Sequence, residues 1–187
     1  MPDIGEVKQT VESMSGWRDI TGQVQTRTGA TNPAWTAVAG GPFGDYAFAL
    51  NDECFVNYHV PHDIASPTIH LHVHWYPSGT NTQPVKWQFT YSYALGFDQE
   101  AFSAAGTVIT VEQAGPGVAR QHMVAETAAI TLPTLTEPDG IIKVHMKRIT
   151  NGGTDNTDTI YVPTLDVHYF SNSHATPGKA PDFYATP

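Results

Sequence analysis

Residues Thr68 to Tyr76 alternate without a break between apolar and polar side chains. Ile69, Leu71, Val73 and Trp75 fall on one side of an extended chain and His70, His72 and His74 on the other, because successive strand side chains point to opposite faces. A helix would mix the two sets around its circumference, so this stretch is a strand with one buried and one polar face. Val85 to Leu95 repeats the pattern, with Val85, Trp87, Phe89, Tyr91, Tyr93 and Leu95 set against Lys86, Gln88, Thr90 and Ser92. Pro77 to Pro84 reads as a turn, and the two runs are expected to pair as a hairpin across that eight-residue connection.

Further strands are expected at Trp17 to Ile20, Val24 to Thr28, Trp35 to Val38, Tyr46 to Leu50, Glu53 to Val60, Thr107 to Glu112, parts of Arg120 to Leu132, Ile141 to Thr150, and Ile160 to Phe170. Helix competes with strand over Val118 to Ala129, where Ala, Gln, Glu and Arg favour it; strand is preferred. Pro61-His62-Asp63 interrupts the chain, Ser66-Pro67 marks a turn, and Thr150 to Thr159 reads as a polar hairpin loop. Pro163 lacks a backbone donor, so the last strand should be bulged there or lie at an edge. Charged residues make up only 14% of the chain, against about 25% in an average domain, which disfavours long charge-paired helices. The fold expected is all-β: a two-sheet antiparallel sandwich, jelly-roll-like. Its core should hold Leu71, Val73, Trp75, Trp87, Phe89, Tyr91, Val144, Met146, Leu165 and Val167.

The sandwich is expected over residues 17–170, between two arms. Residues 1–16 carry Ile4, Val7, Val11 and Met14 at helical spacing. Residues 171–187 are Pro-rich and aperiodic, and read as an extended arm.

Composition narrows the partners. A net charge of −9 with nine scattered basic residues makes a poor phosphate binder, so nucleic acid is not expected. No apolar run approaches the ~20 residues that span a bilayer, and the first residues lack the features of a signal peptide. Cys54, the one cysteine, reads as a buried small hydrophobe. The sequence contains no GxSxG, HExxH, P-loop or GxGxxG. His62-Asp63 is explained by a turn, and Thr154 to Asp158 by a polar loop tip without EF-hand spacing.

The histidines concentrate the chemistry. His70, His72 and His74 share one strand face at roughly 6.5–7 Å spacing, and His145 and His168 are expected beside them on neighbouring strands. Three readings compete: a polar outer face, an interface, or a metal site. As an interface, the face would desolvate more cheaply than one covered in Lys and Glu, and protonation below about pH 6 would loosen it. As a zinc site it would use His70, His72 and His74, or His70 and His72 with one of His122, His145 or His168. His70 to Trp75 looks like the HxH strand of alpha carbonic anhydrases and resembles the HxH of cupins. It departs from cupins, however, in that no Glu follows the pair until Glu100. A further alternative is a carbohydrate-binding sandwich, with Trp35, Tyr76 or Tyr184 stacking on sugar rings.

Val60-Pro61-His62-Asp63, then Ile69 to Pro77, then Val85-Lys86-Trp87 and Tyr91 together resemble a group of small virion proteins of tailed bacteriophages. That group combines a PHD turn, an HxHVHW strand and a tryptophan-bearing strand. The resemblance implies a non-enzymatic structural component of the particle, such as a capsid decoration (cement) protein or a neck or tail accessory protein. It implies no catalytic residues and no cofactor. The expected partners are copies of the chain itself, as a trimer if it sits on a capsid, and major capsid or neck and tail subunits. The expected location is the virion, assembled in the host cytoplasm. The expected interface comprises His70, His72, His74, His145 and His168, with Phe183 and Tyr184 on the C-terminal arm.

Overall fold

A computed structural model describes residues 15–29, 31–132 and 139–172. Its strands are β1 Gly16–Gly22, β2 Ala34–Ala37, β3 Gly44–Phe48, β4 Glu53–His59, β5 Ile64–Pro77, β6 Val85–Leu95, β7 Thr107–Gln113, β8 Met123–Glu126, β9 Ile130–Thr131, β10 Gly140–Ile149 and β11 Ile160–Ser171. No α-helix occurs among the described residues, and within Arg120 to Leu132 the chain forms strand at Met123–Glu126 and Ile130–Thr131, so strand and not helix holds in parts of that stretch. The expected arm helix and the candidate contacts Phe183 and Tyr184 lie outside the described residues.

The protein is an antiparallel two-sheet β-sandwich. The larger sheet has seven strands in the order β2-β3-β11-β5-β8, with β1 also on β11 and β9 also on β5. The smaller has four, β4-β10-β6-β7. From β3 onward the chain changes sheet at nearly every connection, a jelly-roll-like course. That course overturns the expected hairpin. β5 pairs with β11, β8 and β9, whereas β6 pairs with β10 and β7, so Ser78 to Pro84 carries the chain from one sheet to the other. Thr150 to Thr159 likewise crosses between sheets and is not a hairpin loop.

Two prolines behave differently. The register of β11 on β5 slips between Tyr161 and Thr164, so Pro163 sits in a bulge of an interior strand, where its missing donor does no harm. Ser66-Pro67 does not end a strand. β5 runs through it, and the Pro67 carbonyl accepts from the Leu132 amide at 2.9 Å, an acceptor role that needs no proline N–H. Val24 to Thr28 reduces to a single bridge between Gln25 and Phe55.

The inner faces are those the alternation gives. Ile69, Leu71, Val73 and Trp75 meet Val85, Trp87 and Phe89 across the sandwich, together with Val144, Met146, Leu165 and Val167, all buried; Tyr91 is only partly so. Phe48 meets Trp87 edge-on at 5.7 Å between ring centroids, a favoured aromatic geometry. Trp75 donates its indole N–H to Gln113 Oε1 at 2.7 Å, tying β5 to the smaller sheet. Arg148 occupies an inward position of β10, and its guanidinium donates to the Phe48 and Asn156 carbonyls at 2.7 and 2.6 Å. Burial lowers its pKa, but the guanidinium keeps its charge. Gly22 passes so close to Val56 and Tyr58 that a side chain there would collide with them.

Asp63, in the turn before β5, closes the frame. It accepts from Tyr169 Oη at 3.0 Å and Ser171 Oγ at 2.6 Å, and pairs with Arg18 at 3.1 Å. Its carbonyl accepts from the Asn172 amide at 3.0 Å. One turn thus holds β1 and the end of β11, whose residues Gly16 and Ser171 are register partners.

Candidate functional site

The outer face of the larger sheet collects most of the histidines. His70, His72 and His74 point outward from β5, as the alternation requires. On β11, His168 lies opposite His70 and Asp166 opposite His72; on the other flank, Glu126 of β8 also lies opposite His72. His72 is therefore held between two carboxylates. Its Nδ1 is 3.0 Å from Asp166 Oδ1, and its Nε2 is 2.7 Å from Glu126 Oε2. His74 Nε2 meets the other Asp166 oxygen at 2.8 Å, and His74 Nδ1 meets His122 Nε2 at 2.8 Å. His168 Nδ1 reaches His72 Nε2 at 3.3 Å.

Electrostatics follow from these contacts. Burial alone would lower the His72 pKa, but the Glu126 hydrogen bond and the close Asp166 and Glu126 charges prevail and raise it. Burial would raise Asp166; His72 and His74 more than reverse that, and its pKa is lowered. Glu126 follows the same logic, lowered by His72 and by the charges of His70 and His168 despite burial. The acidic residues change the expected response to acid, since the first proton on His72 is held by two carboxylates before any like-charge repulsion is felt.

Asp166 is only 5% exposed. Its Oδ1 lies near His72 Nδ1 but off the line that a hydrogen bond needs, so it has no aligned donor among the described residues. The expected set His70, His72 and His74 does not converge. His70 Nδ1 turns away to the Thr127 carbonyl at 3.0 Å. The convergent ligand atoms are those of His72, His74 and Asp166, all within 4.8 Å of one another. Asp166 was legible only as an outward position of β11, two residues before His168; what makes it a partner of His72 is the β5–β11 register.

His145 is not on this face. It projects from the smaller sheet, where Glu53 Oε2 lies 2.8 Å from its Nε2 and the Phe55 ring stacks on it at 4.8 Å. Alternation along β10 does turn His145 outward, but β10 belongs to the other sheet, so its outward side faces the opposite way. Trp17, not singled out from the sequence, completes the histidine face. Its half-exposed indole meets His168, His70 and Phe170 edge-on at 4.9, 5.7 and 5.7 Å.

Of the aromatics considered for sugar stacking, Trp35 is 63% exposed. Tyr76 is stacked on Tyr161 at 5.1 Å and donates to Asp45, and Tyr184 lies outside the described residues. The Asp155 and Asp158 carboxylates accept hydrogen bonds from Thr150, Asn151 and Asn81, which fits a loop tip. Cys54 is fully buried, and burial with the nearby Glu53 charge pushes its thiol up to about 12, which fits a packing role. No helix among the described residues is long and apolar enough to cross a membrane.

No family model matches the chain, and no curated protein does. Solved structures resemble it in chain course. The CBM36-1 domain of a multidomain xylanase from the hindgut metagenome of Trinervitermes trinervoides has a TM-score of 0.44 at 8% identity, covering 81% of this chain and 96% of that one. The CBM35 of Cellvibrio japonicus Abf62 has a TM-score of 0.40 at 13% identity, covering 81% and 92%. A cycloisomaltooligosaccharide glucanotransferase of Paenibacillus sp. has a TM-score of 0.39 at 11% identity; 80% of this chain is covered, but it spans only 18% of that one. At such identities and scores, these likenesses carry no inference about what this chain binds.

Proposed function

We propose that the chain is a non-enzymatic structural component of a tailed-phage virion, a capsid decoration (cement) protein or a neck or tail accessory protein. It works by binding copies of itself and neighbouring virion subunits. The phage part of the reading rests on the resemblance carried by the PHD turn, the HxHVHW strand and the Trp87 strand. The binding part rests on one observation, an edge strand of the larger sheet that pairs on one side only among the described residues.

That edge is β2, Ala34-Trp35-Thr36-Ala37, in which every residue is exposed and none is charged. Sheets usually blunt such edges with charge, proline or a bulge, because unpaired backbone groups recruit another chain. Here Trp35 is 63% exposed, and Phe43, just before β3, is 79% exposed. An uncharged edge flanked by bare aromatic rings suits a chain that is covered in an assembly.

Mass spectrometry of gradient-purified particles from a phage encoding the chain tests the reading. The chain is expected in stoichiometric amount, and Trp35→Lys is expected to lower its incorporation severalfold. Particles complete without the chain overturn the reading. A second reading, carbohydrate binding, is favoured by the same exposed Trp35 indole, which could stack on a sugar ring. A glycan array separates the two: retention of an oligosaccharide that is lost in Trp35→Ala supports the second.

A further inference from the structure

We propose that His72, His74 and Asp166 form a binding site for one divalent transition-metal ion of the zinc class, between β5 and β11. Two imidazoles and a carboxylate are a ligand set that zinc accepts. Each group comes from a central strand of a seven-stranded sheet, so the set is held by rigid backbone.

The geometry is close to what an ion needs. Bonds of about 2.0–2.1 Å to a tetrahedral ion place ligand atoms about 3.3 Å apart. The present separations are 3.0 Å for His72 Nδ1 to Asp166 Oδ1 and 2.8 Å for His74 Nε2 to Asp166 Oδ2. These two pairs fall about 0.3 to 0.5 Å short of that spacing, and all three ligand atoms lie within 4.8 Å of one another.

The surroundings point the same way. Metal-bound histidines characteristically give their second nitrogen to a hydrogen-bond partner, which fixes the ring. His72 has Glu126 at 2.7 Å on its far nitrogen, and His74 has His122 at 2.8 Å on its far nitrogen. The independent observation is Asp166 itself: a carboxylate 5% exposed, aimed into the cluster, whose Oδ1 lacks an aligned donor among the described residues. Buried oxygens are seldom left so, and a cation on that oxygen would satisfy it.

A neighbouring trio, Asp19, His72 and His168, is a poorer site. His168 Nδ1 is 3.9 Å from Asp19 Oδ1, Asp19 is about half exposed, and the His72 nitrogen facing His168 is already taken by Glu126. Three protein ligands leave one coordination position for water or for a group from a docked partner. The proposal stands on the His72, His74 and Asp166 geometry and does not rest on the β2 edge.

The test uses the full chain, stripped with a chelator and then titrated with zinc alone. One ion per chain, retained through gel filtration, is expected. Asp166→Asn and His74→Gln should each weaken binding about 100-fold while keeping the wild-type circular dichroism spectrum, and His145→Ala should leave it unchanged. Cobalt in place of zinc should give visible bands of low coordination number, lost in the same two variants. A second readout needs no variant: imidazole nitrogen NMR of the wild-type chain, in which zinc should shift His72 and His74 but not His145. No retained zinc overturns the site. So do equal affinity in all three variants, loss of binding in His145→Ala, or zinc shifts confined to His168 and His72.

Discussion

The two outer faces of the sandwich use the same side-chain chemistry to different ends. On the smaller sheet, one histidine meets one glutamate: His145 and Glu53 lie 2.8 Å apart, Arg27 takes the second Glu53 oxygen at 3.2 Å, and Phe55 stacks on the imidazole. Each polar atom of that pair has a partner or faces water. On the larger sheet, two histidines share one carboxylate that is more deeply buried, and one of its oxygens is left without an aligned donor. The difference lies in register. On β10 and β4, His145 stands opposite Phe55, with Glu53 two residues further along; on β5 and β11, Asp166 stands directly opposite His72, beside His74. Sharing and burial, not residue type, separate a surface ion pair from a candidate metal centre.

Truncating the two carboxylates breaks this comparison most directly. Asp166→Ala leaves His72 and His74 facing each other in a mostly buried space, and should cost about 3 kcal/mol, as removal of one partner from a buried charged cluster does. Glu53→Ala removes a pair near the surface and should cost about 1 kcal/mol or less. Urea unfolding, with metal chelated throughout, measures both. Equal losses would mean that the two faces are energetically alike.

How far each face could be read in advance depends on whether the property is local. The alternation along Thr68 to Tyr76 is local, and it correctly assigned Trp75 inward and His72 outward. The bulge at Pro163 was legible for a similar reason, since a residue without an N–H cannot complete an interior ladder. Sheet membership is not local. Val85 to Leu95 follows Thr68 to Tyr76 closely and shares its pattern, so a hairpin was expected; yet two strands with aromatic inner faces can equally well face each other across a core. In the sandwich, Trp75 and Trp87 do so. The same blindness put His145 on the wrong face and left Asp166 unnoticed, because alternation assigns a side and says nothing of the partner strand. Of the stretches expected as arms, residues 15, 16, 171 and 172 are described, with Gly16 and Ser171 paired in the larger sheet, whereas Phe183 and Tyr184 lie outside the described residues.

Acid titration sharpens the comparison on the smaller sheet. Burial pushes the Glu53 carboxyl up, but the hydrogen bonds and charges of His145 and Arg27 outweigh it, so its folded pKa lies below the ordinary 4.5. A carboxylate lowered on folding adds stability that is present above its unfolded pKa and lost as pH falls through the folded value. Glu53→Gln should therefore be less stable than the wild type by about 1 kcal/mol at neutral pH. The gap should close as pH falls below 4.5. Thermal unfolding of both proteins between about pH 3 and 7 checks this; a gap that persists at the acid end would remove Glu53 ionisation as its source.

The smallest effect belongs to His70, and it marks the boundary of the candidate centre. His70 shares its strand face with His72 and His74, so periodicity alone ranks the three together. Its Nδ1, however, lies 3.0 Å from the Thr127 carbonyl, and its ring rests against Trp17. Removing it frees an acceptor that water can reach in the space vacated, so His70→Ala should cost only about 0.5 kcal/mol, at the low end for one hydrogen bond. Zinc affinity should not change, because no His70 atom belongs to the convergent trio. The two measurements together discriminate: a zinc site built on the HxHxH alternation would lose affinity with His70, whereas one built on the β5–β11 register would lose it with Asp166.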